Sequence, residues 1–147
     1  MKLTLPYPPS INHYWRHYRG RTVISQDGRR FREDVLALVP AQEALPQTAT
    51  SAQRSGSGPR KPPAGGRIAL CMDAFPPDRR RRDLDNIQKP VLDALEHAEV
   101  YLDDSQIDLL LTRRRASGKP GHIEVQLDEL PLRRCPLCGA AINPENN

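Results

Sequence analysis

Leu84, Ile87, Val91, Leu92, Leu95 and Ala98 recur at three- and four-residue spacing, and this stripe limits the fold more than any other feature of the chain. Such spacing gathers apolar side chains on one face of a helix, here from about Asp85 to Ala98, with Lys89, Asp93, Glu96 and His97 on the wet side. A helix of this kind has to bury its stripe against another layer. The flanking segments supply one. Arg67-Ile68-Ala69-Leu70-Cys71-Met72 reads as a central strand, broken by Pro76-Pro77-Asp78. Ile107 to Arg115 and His122 to Leu127 read as two more, with Ser117-Gly118-Lys119-Pro120-Gly121 as their hairpin loop. Pro90 falls inside the helical pattern; its missing N–H does little harm only near the first turn.

Upstream, Lys2 to Leu5 alternates like a short strand, and Pro8-Pro9-Ser10-Ile11-Asn12 reads as a turn. His13-Tyr14-Trp15-Arg16-His17-Tyr18-Arg19 mixes rings with bases. That mixture suits stacking and phosphate contact, and equally a loop that packs its rings on the core. Thr22-Val23-Ile24 is short and β-prone. A second helix is expected after Ser25 or Asp27, with Phe31, Val35, Leu36 and Leu38 on its apolar side, ending by Val39 or fraying to about Leu45. From Pro46 to Gly66 the chain turns to Pro, Gly, Ser, Thr and Ala, too poor in apolar surface to offset its ordering entropy. It reads as a flexible insertion within one domain, because neither flank alone has a sufficient core. The expectation is an α/β (α+β) single domain over residues 1–130, a mixed sheet of about four strands with two main helices packed on it, followed by a Cys-containing tail, 131–147.

The 147 residues carry a formal charge of +4, with arginines clustered at 79–82 and 113–115. A basic balance with such patches favours a polyanionic partner; a solvated charged face is the competing reading. Three cysteines, an odd number, fit a reducing cytosol better than a disulfide framework. No apolar run is long enough for a leader peptide or a membrane span, so a soluble cytoplasmic protein is expected.

Asp83-Leu84-Asp85 follows the arginine run directly, although carboxylates repel the polyanion that arginines attract. Divalent cations placed between the acids and a phosphate backbone reconcile the two. If the chain is extended up to the helix, Asp83 and Asp85 project to the same side, and Lys89 lies one turn beyond Asp85. A helix of this length spans roughly 20 Å, and the residues after it cover roughly 17 Å when extended. Asp104 can therefore return to the other two acids, or a partner subunit's acid can complete the set. Three carboxylates are hard oxygen ligands for Mg²⁺, with Mn²⁺ as a substitute, and an adjacent lysine can neutralise charge on a reacting phosphate. On spacing alone the alternative stands that Asp83 and Asp85 only cap the helix and that Asp103-Asp104 is only a turn.

Phe75 through Lys89, Leu92-Asp93-Ala94-Leu95 and Leu102-Asp103-Asp104-Ser105-Gln106-Ile107 closely resemble the RusA family of Holliday-junction resolvases. Leu5 to Asn12, Tyr14-Trp15-Arg16 and Gly20-Arg21-Thr22 are similar to that family's opening motif, so the resemblance covers roughly residues 1–38 and 67–128. It implies a homodimeric, Mg²⁺-dependent endonuclease that nicks two opposed strands of a four-way DNA junction in recombination and repair. It further implies that Asp83, Asp85 and Asp104 are the catalytic acids and metal ligands, that Lys89 is the catalytic lysine, and that Arg82 is the basic residue before the acids. Asn12, Arg16, Arg19, Arg21, Arg79, Arg80, Arg81 and Arg82 are the candidate DNA contacts. A non-cleaving branched-DNA-binding protein and a tail-mediated interaction protein are the competing functions.

Three departures stand out. Glu99 replaces the glycine usual after the helix, so that cap is expected to be reshaped. The 46–66 insertion is long. Beyond the family core, Cys135-Pro136-Leu137-Cys138-Gly139 resembles half of a zinc knuckle, whose remaining ligands would come from His97, His122 or a second subunit; a free, disordered, reduced tail is the competing reading.

Overall fold

The computed structural model describes residues 1–43, 66–132 and 134–142. The expected insertion 46–66 lies outside them except for Gly66, whose carbonyl accepts a 2.9 Å hydrogen bond from Gln106 Nε2.

The chain runs β1 (Lys2–Pro6), α1 (Ile11–Tyr14), β2 (Trp15–Tyr18), β3 (Arg21–Ile24), α2 (Gln26–Glu43), β4 (Ile68–Phe75), α3 (Asp85–His97), a 3₁₀ turn (Asp104–Gln106), β5 (Ile107–Arg114) and β6 (His122–Glu129). Four strands form one mixed sheet in the order β1-β6-β4-β5, and β2 and β3 form a separate hairpin. The α/β single domain with a four-stranded sheet is as expected. The β5–β6 hairpin is not. β5 pairs with β4 in parallel, and β6 pairs with β4 antiparallel on its other side. Two parallel strands need a crossover, and α3 is that crossover, so β4 is the strand that separates β5 from β6. The 115–121 connection consequently passes across the end of β4, where Arg115 N donates to Ala74 O and Gly118 N to Pro76 O.

Alternate residues of β4, Ile68, Leu70, Met72 and Ala74, face the helices together with Leu3, Leu5, Ile123, Val125 and Leu127. Against them α3 buries Ile87, Val91 and Leu95, each contributing roughly 1.5–3 kcal/mol. Pro90 lies in the second turn of α3 and is buried. It leaves the Asn86 carbonyl without its helical donor, yet the helix continues.

Ser25 caps α2 as expected, its Oγ accepting from Gly28 N at 3.0 Å. The buried face is Phe31, Val35 and Val39, whereas Leu36 is exposed. The four-residue step fixes the contact side, and Leu36 points away from it. The helix passes through Pro40 rather than stopping before it. Near its end Gln42 brackets Thr4, accepting from Thr4 N at 2.6 Å and donating to Thr4 O at 2.7 Å. The free edge of β1 is thereby covered.

Glu99 holds φ 55, in the left-handed region. Its amide donates to Glu96 O and the Val100 amide to Leu95 O, at 2.9 and 3.0 Å. This pair of bonds is the Schellman ending, so the cap is kept and not reshaped, with a side chain carried in glycine's conformation.

Candidate active site

The segment between β4 and α3 carries the arginines and two of the acids, and it is braced from three directions. Pro77 packs so closely on Gly121 that a Cβ there would lie 2.6 Å from Pro77 N and Cδ. Phe75 stacks on His122 with ring centroids 4.4 Å apart. Arg82 grips Asp78, with Nη2 3.0 Å from Oδ2, lies over the Tyr7 ring, and offers its carbonyl to Arg114. The Arg82 guanidinium, then the Arg80 amide, hold the Asp78 carboxyl well below the usual carboxylate range. Arg82 therefore braces the loop, whereas Arg79, Arg80 and Arg81 are exposed.

Asp83 and Asp85 are both exposed and make no ion pair among the described residues. Leu84 between them is already helical, at φ −68 and ψ −34. The strand-like alternation that would aim both acids to one side thus stops at Asp83. Asp85 is the first residue of α3, and no side chain caps that end.

Lys89, one turn further along, joins two more acids. Its Nζ lies 2.8 Å from Asp93 Oδ1 and 3.2 Å from Asp104 Oδ2. Asp93 raises the pKa of the Lys89 ammonium, partial burial opposes it, and Asp104 adds to the rise, so the group stays cationic. Asp104 reaches Lys89 within the same chain because Asp103 caps the 3₁₀ turn. The Asp103 side chain accepts from Ser105 N at 2.8 Å, and Gln106 Oε1 accepts from the backbone amides of Leu102 and Asp103. Tyr101 steadies the approach by donating to Leu92 O at 2.9 Å.

Asp93 is the residue that sequence reading misses. Taken as a surface charge, it is buried, and its Oδ2 has no hydrogen-bond partner among the described residues. Two signals were available: its i,i+4 spacing from Lys89, and its place among Val91, Ala94 and Leu95. Tyr14, also buried, lies close enough to feel the charges of Asp93 and Lys89, and its hydroxyl accepts from Arg32 Nε at 2.6 Å.

Tyr14 ends α1, and the β2–β3 hairpin extends from there. Arg19 and Gly20, both at positive φ, make its two-residue turn. Arg16, Tyr18, Arg19 and Arg21 are exposed, with the Arg16 and Arg19 guanidiniums 5.9 and 5.3 Å from the Tyr18 ring centre. Asn12 lines an open cleft at the hairpin base with Ile11, Trp15, His17 and Thr22. The 113–115 cluster is not a free basic patch. Arg113 and Arg115 both bind Asp73, and Arg114 binds the Arg82 carbonyl.

As the side chains stand, no group of three or more His, Cys, Asp or Glu among the described residues is close enough to hold a metal ion. The donor chemistry nonetheless suits a hard divalent cation: Asp83 and Asp85 are uncommitted carboxylates, and Asp104 is balanced by one half-exposed lysine. Exposed side chains change rotamer without backbone movement.

A family model described as Endodeoxyribonuclease RusA matches residues 6–128. The chain belongs to the RusA family. The Crossover junction endodeoxyribonuclease RusA of Escherichia coli strain K12 is 34% identical over 128 residues, covering 87% of this chain and 93% of that protein. The protein of the same name from Shigella sonnei shows the same identity and coverage. That of Enterobacteria phage 82 is 35% identical over 133 residues, with coverage of 87% and 93%. The RusA match thus takes in the hairpin, the arginine loop, α3 and the Asp104 turn, and stops before the two cysteines of the tail.

Proposed function

We propose that this chain is a crossover junction endodeoxyribonuclease, a metal-dependent hydrolase that nicks paired phosphodiesters of a four-way DNA junction as a homodimer. One observation carries the reading: two uncommitted acids stand at the start of α3, one turn from a lysine that also holds Asp104. Family membership supports it, because the relatives are named for that activity.

Asp83, Asp85 and Asp104 are the oxygen donors that would hold Mg²⁺, or Mn²⁺ in its place. Such an ion, when bound, supplies an activated water and charge neutralisation at the scissile phosphate. Lys89 keeps its proton and places a positive charge beside that phosphate, where it counters the charge that grows in the transition state. Asp93 anchors the lysine from the protein side. Arg79, Arg80 and Arg81 flank the acids and attract the DNA backbone. The hairpin offers Arg16, Arg19 and Arg21 to phosphates and Tyr18 to an unpaired base. A four-way junction is two-fold symmetric, and a symmetric dimer presents two such sites to opposed strands.

Incubation of a synthetic four-way junction with the protein and Mg²⁺ tests the proposal. Symmetric paired nicks, abolished in Asp83→Asn, are expected. Absence of nicking by the unaltered chain, or equal nicking by Asp83→Asn, overturns it.

A further inference from the structure

Residues 134–142 take no part in the acid–lysine site, yet they fold into a defined knuckle on the domain. Cys135 N donates to Ala140 O, and Gly139 N donates back to Cys135 O, both at 2.8 Å. Gly139 makes this closure possible at φ 74, and Arg134 and Ala141 pair as a β-bridge below it. Arg113, itself fixed by Asp73, donates to Pro136 O at 3.3 Å and ties the knuckle to the sheet face opposite the helices. The backbone amides of Cys138 and then Leu137, together with the Cys138 side chain, hold the Cys135 thiol below its ordinary pKa. The backbone closure thus carries both cysteines on one turn, in surroundings that favour a thiolate at Cys135.

We propose that Cys135 and Cys138 form half of a tetrahedral Zn²⁺ site, completed by the same two cysteines of a second copy of this chain. Two thiolates at C-x-x-C spacing select a thiophilic ion over the hard cation suited to the acids. Zinc takes four such ligands, and no third His, Cys, Asp or Glu joins the pair among the described residues. His97 and His122 do not supply it: His122 is stacked on Phe75, and neither falls in a group with the cysteines. A second copy brings an identical pair under two-fold symmetry, and each thiol releases its proton as it binds. The apolar surface agrees. Leu137 is 68% exposed and Ile142 41% exposed, so the knuckle has almost no core of its own. Apposing two knuckles on one ion covers these side chains and supplies the folding energy that so short a segment lacks.

The test uses the full chain, purified under reducing conditions without chelator. The expected result is one zinc per two chains by elemental analysis, and none in the Cys135→Ser, Cys138→Ser double variant. Cobalt reconstitution is expected to give thiolate-to-metal charge-transfer absorption and tetrahedral d–d bands at the same half stoichiometry. Absence of zinc, one zinc per chain, zinc retained in the double variant, or an intrachain disulfide found by mass each overturns the proposal. Circular dichroism of the double variant checks that the sheet domain remains folded. Junction cleavage, read in parallel, keeps this outcome separate from that of the acid site.

Discussion

Asp93→Asn separates the positioning of Lys89 from the stability of the fold. The carboxylate lies 2.8 Å from Lys89 Nζ, and the lysine side chain is 46% exposed. With the lysine end this open to water, the pair contributes about 1 kcal/mol despite the buried acid. The substitution also neutralises a buried acid whose Oδ2 has no partner among the described residues, which offsets part of that loss. Net stability is therefore expected to move by less than about 1 kcal/mol in urea titration. The rate is a different matter. Lys89 would keep only Asp104, at 3.2 Å, on a surface turn. A displacement of about 1 Å in a positioned group can lower a rate about 100-fold. Single-turnover cleavage of a saturating junction is expected to slow between about 10- and 100-fold, with junction affinity unchanged because the Asp93 side chain is buried. In a cycle with Lys89→Met, the double variant should be no slower than Lys89→Met alone. Asp93→Asn cleaving at the unaltered rate, or losses that multiply in the double variant, would refute the coupling.

Glu99→Gly relieves a left-handed side chain and should stabilise the protein by about 1 kcal/mol, seen as a rise in Tm of roughly 3 °C. Gly121→Ala forces a Cβ against Pro77 and should destabilise by about 1–3 kcal/mol, with a larger fractional loss of cleavage than of binding, because the displaced loop carries the acids. Burial opposes ionisation of Asp73, but Arg115 and Arg113 outweigh it and hold the carboxyl below its ordinary value of 3.8. Its stabilising share is present above that unfolded value and is lost as pH falls through the lower folded one. Asp73→Asn should thus weaken the protein at neutral pH and flatten the fall in stability below about pH 4, measured by denaturant titration at several pH values. Arg19→Ala and Arg21→Ala should each reduce the salt slope of junction binding by about 0.9 and leave cleavage at saturation intact.

The fold class was legible in the stripe of α3 and the apolar run of β4, because a buried helix and a central strand each leave a strong period. The β5–β6 adjacency was misread because a Gly- and Pro-rich connection looks the same whether it joins neighbours or steps across a third strand. Only the pairing of β4 to both distinguishes them. Within the candidate site, Asp83, Asp85, Lys89 and Asp104 stood out by residue type and motif. Asp93 did not, since one acid on a helix gives no local sign of which way its side chain is buried. Arg113 to Arg115 misled for a related reason: Asp73, the acid that engages Arg113 and Arg115, is 40 and 42 residues away. The glycine position at Glu99 was recognised, but the other cap bonds that hold it left-handed lie in the backbone and have no sequence signature.

The hairpin that bears Arg16, Tyr18, Arg19 and Arg21 grows out of α1 and α2 and adds no strand to the main sheet, while the acids belong to α3 and its flanking turns. Tyr14, close to the charges of Asp93 and Lys89, links the two. If the hairpin grips DNA as proposed, it is an antenna on its own stem that can be lengthened, recharged or exchanged during evolution while the acid–lysine cluster stays as it is. Relatives that diverge in the shape of DNA they grip are therefore expected to differ most at this tip and least around that tyrosine.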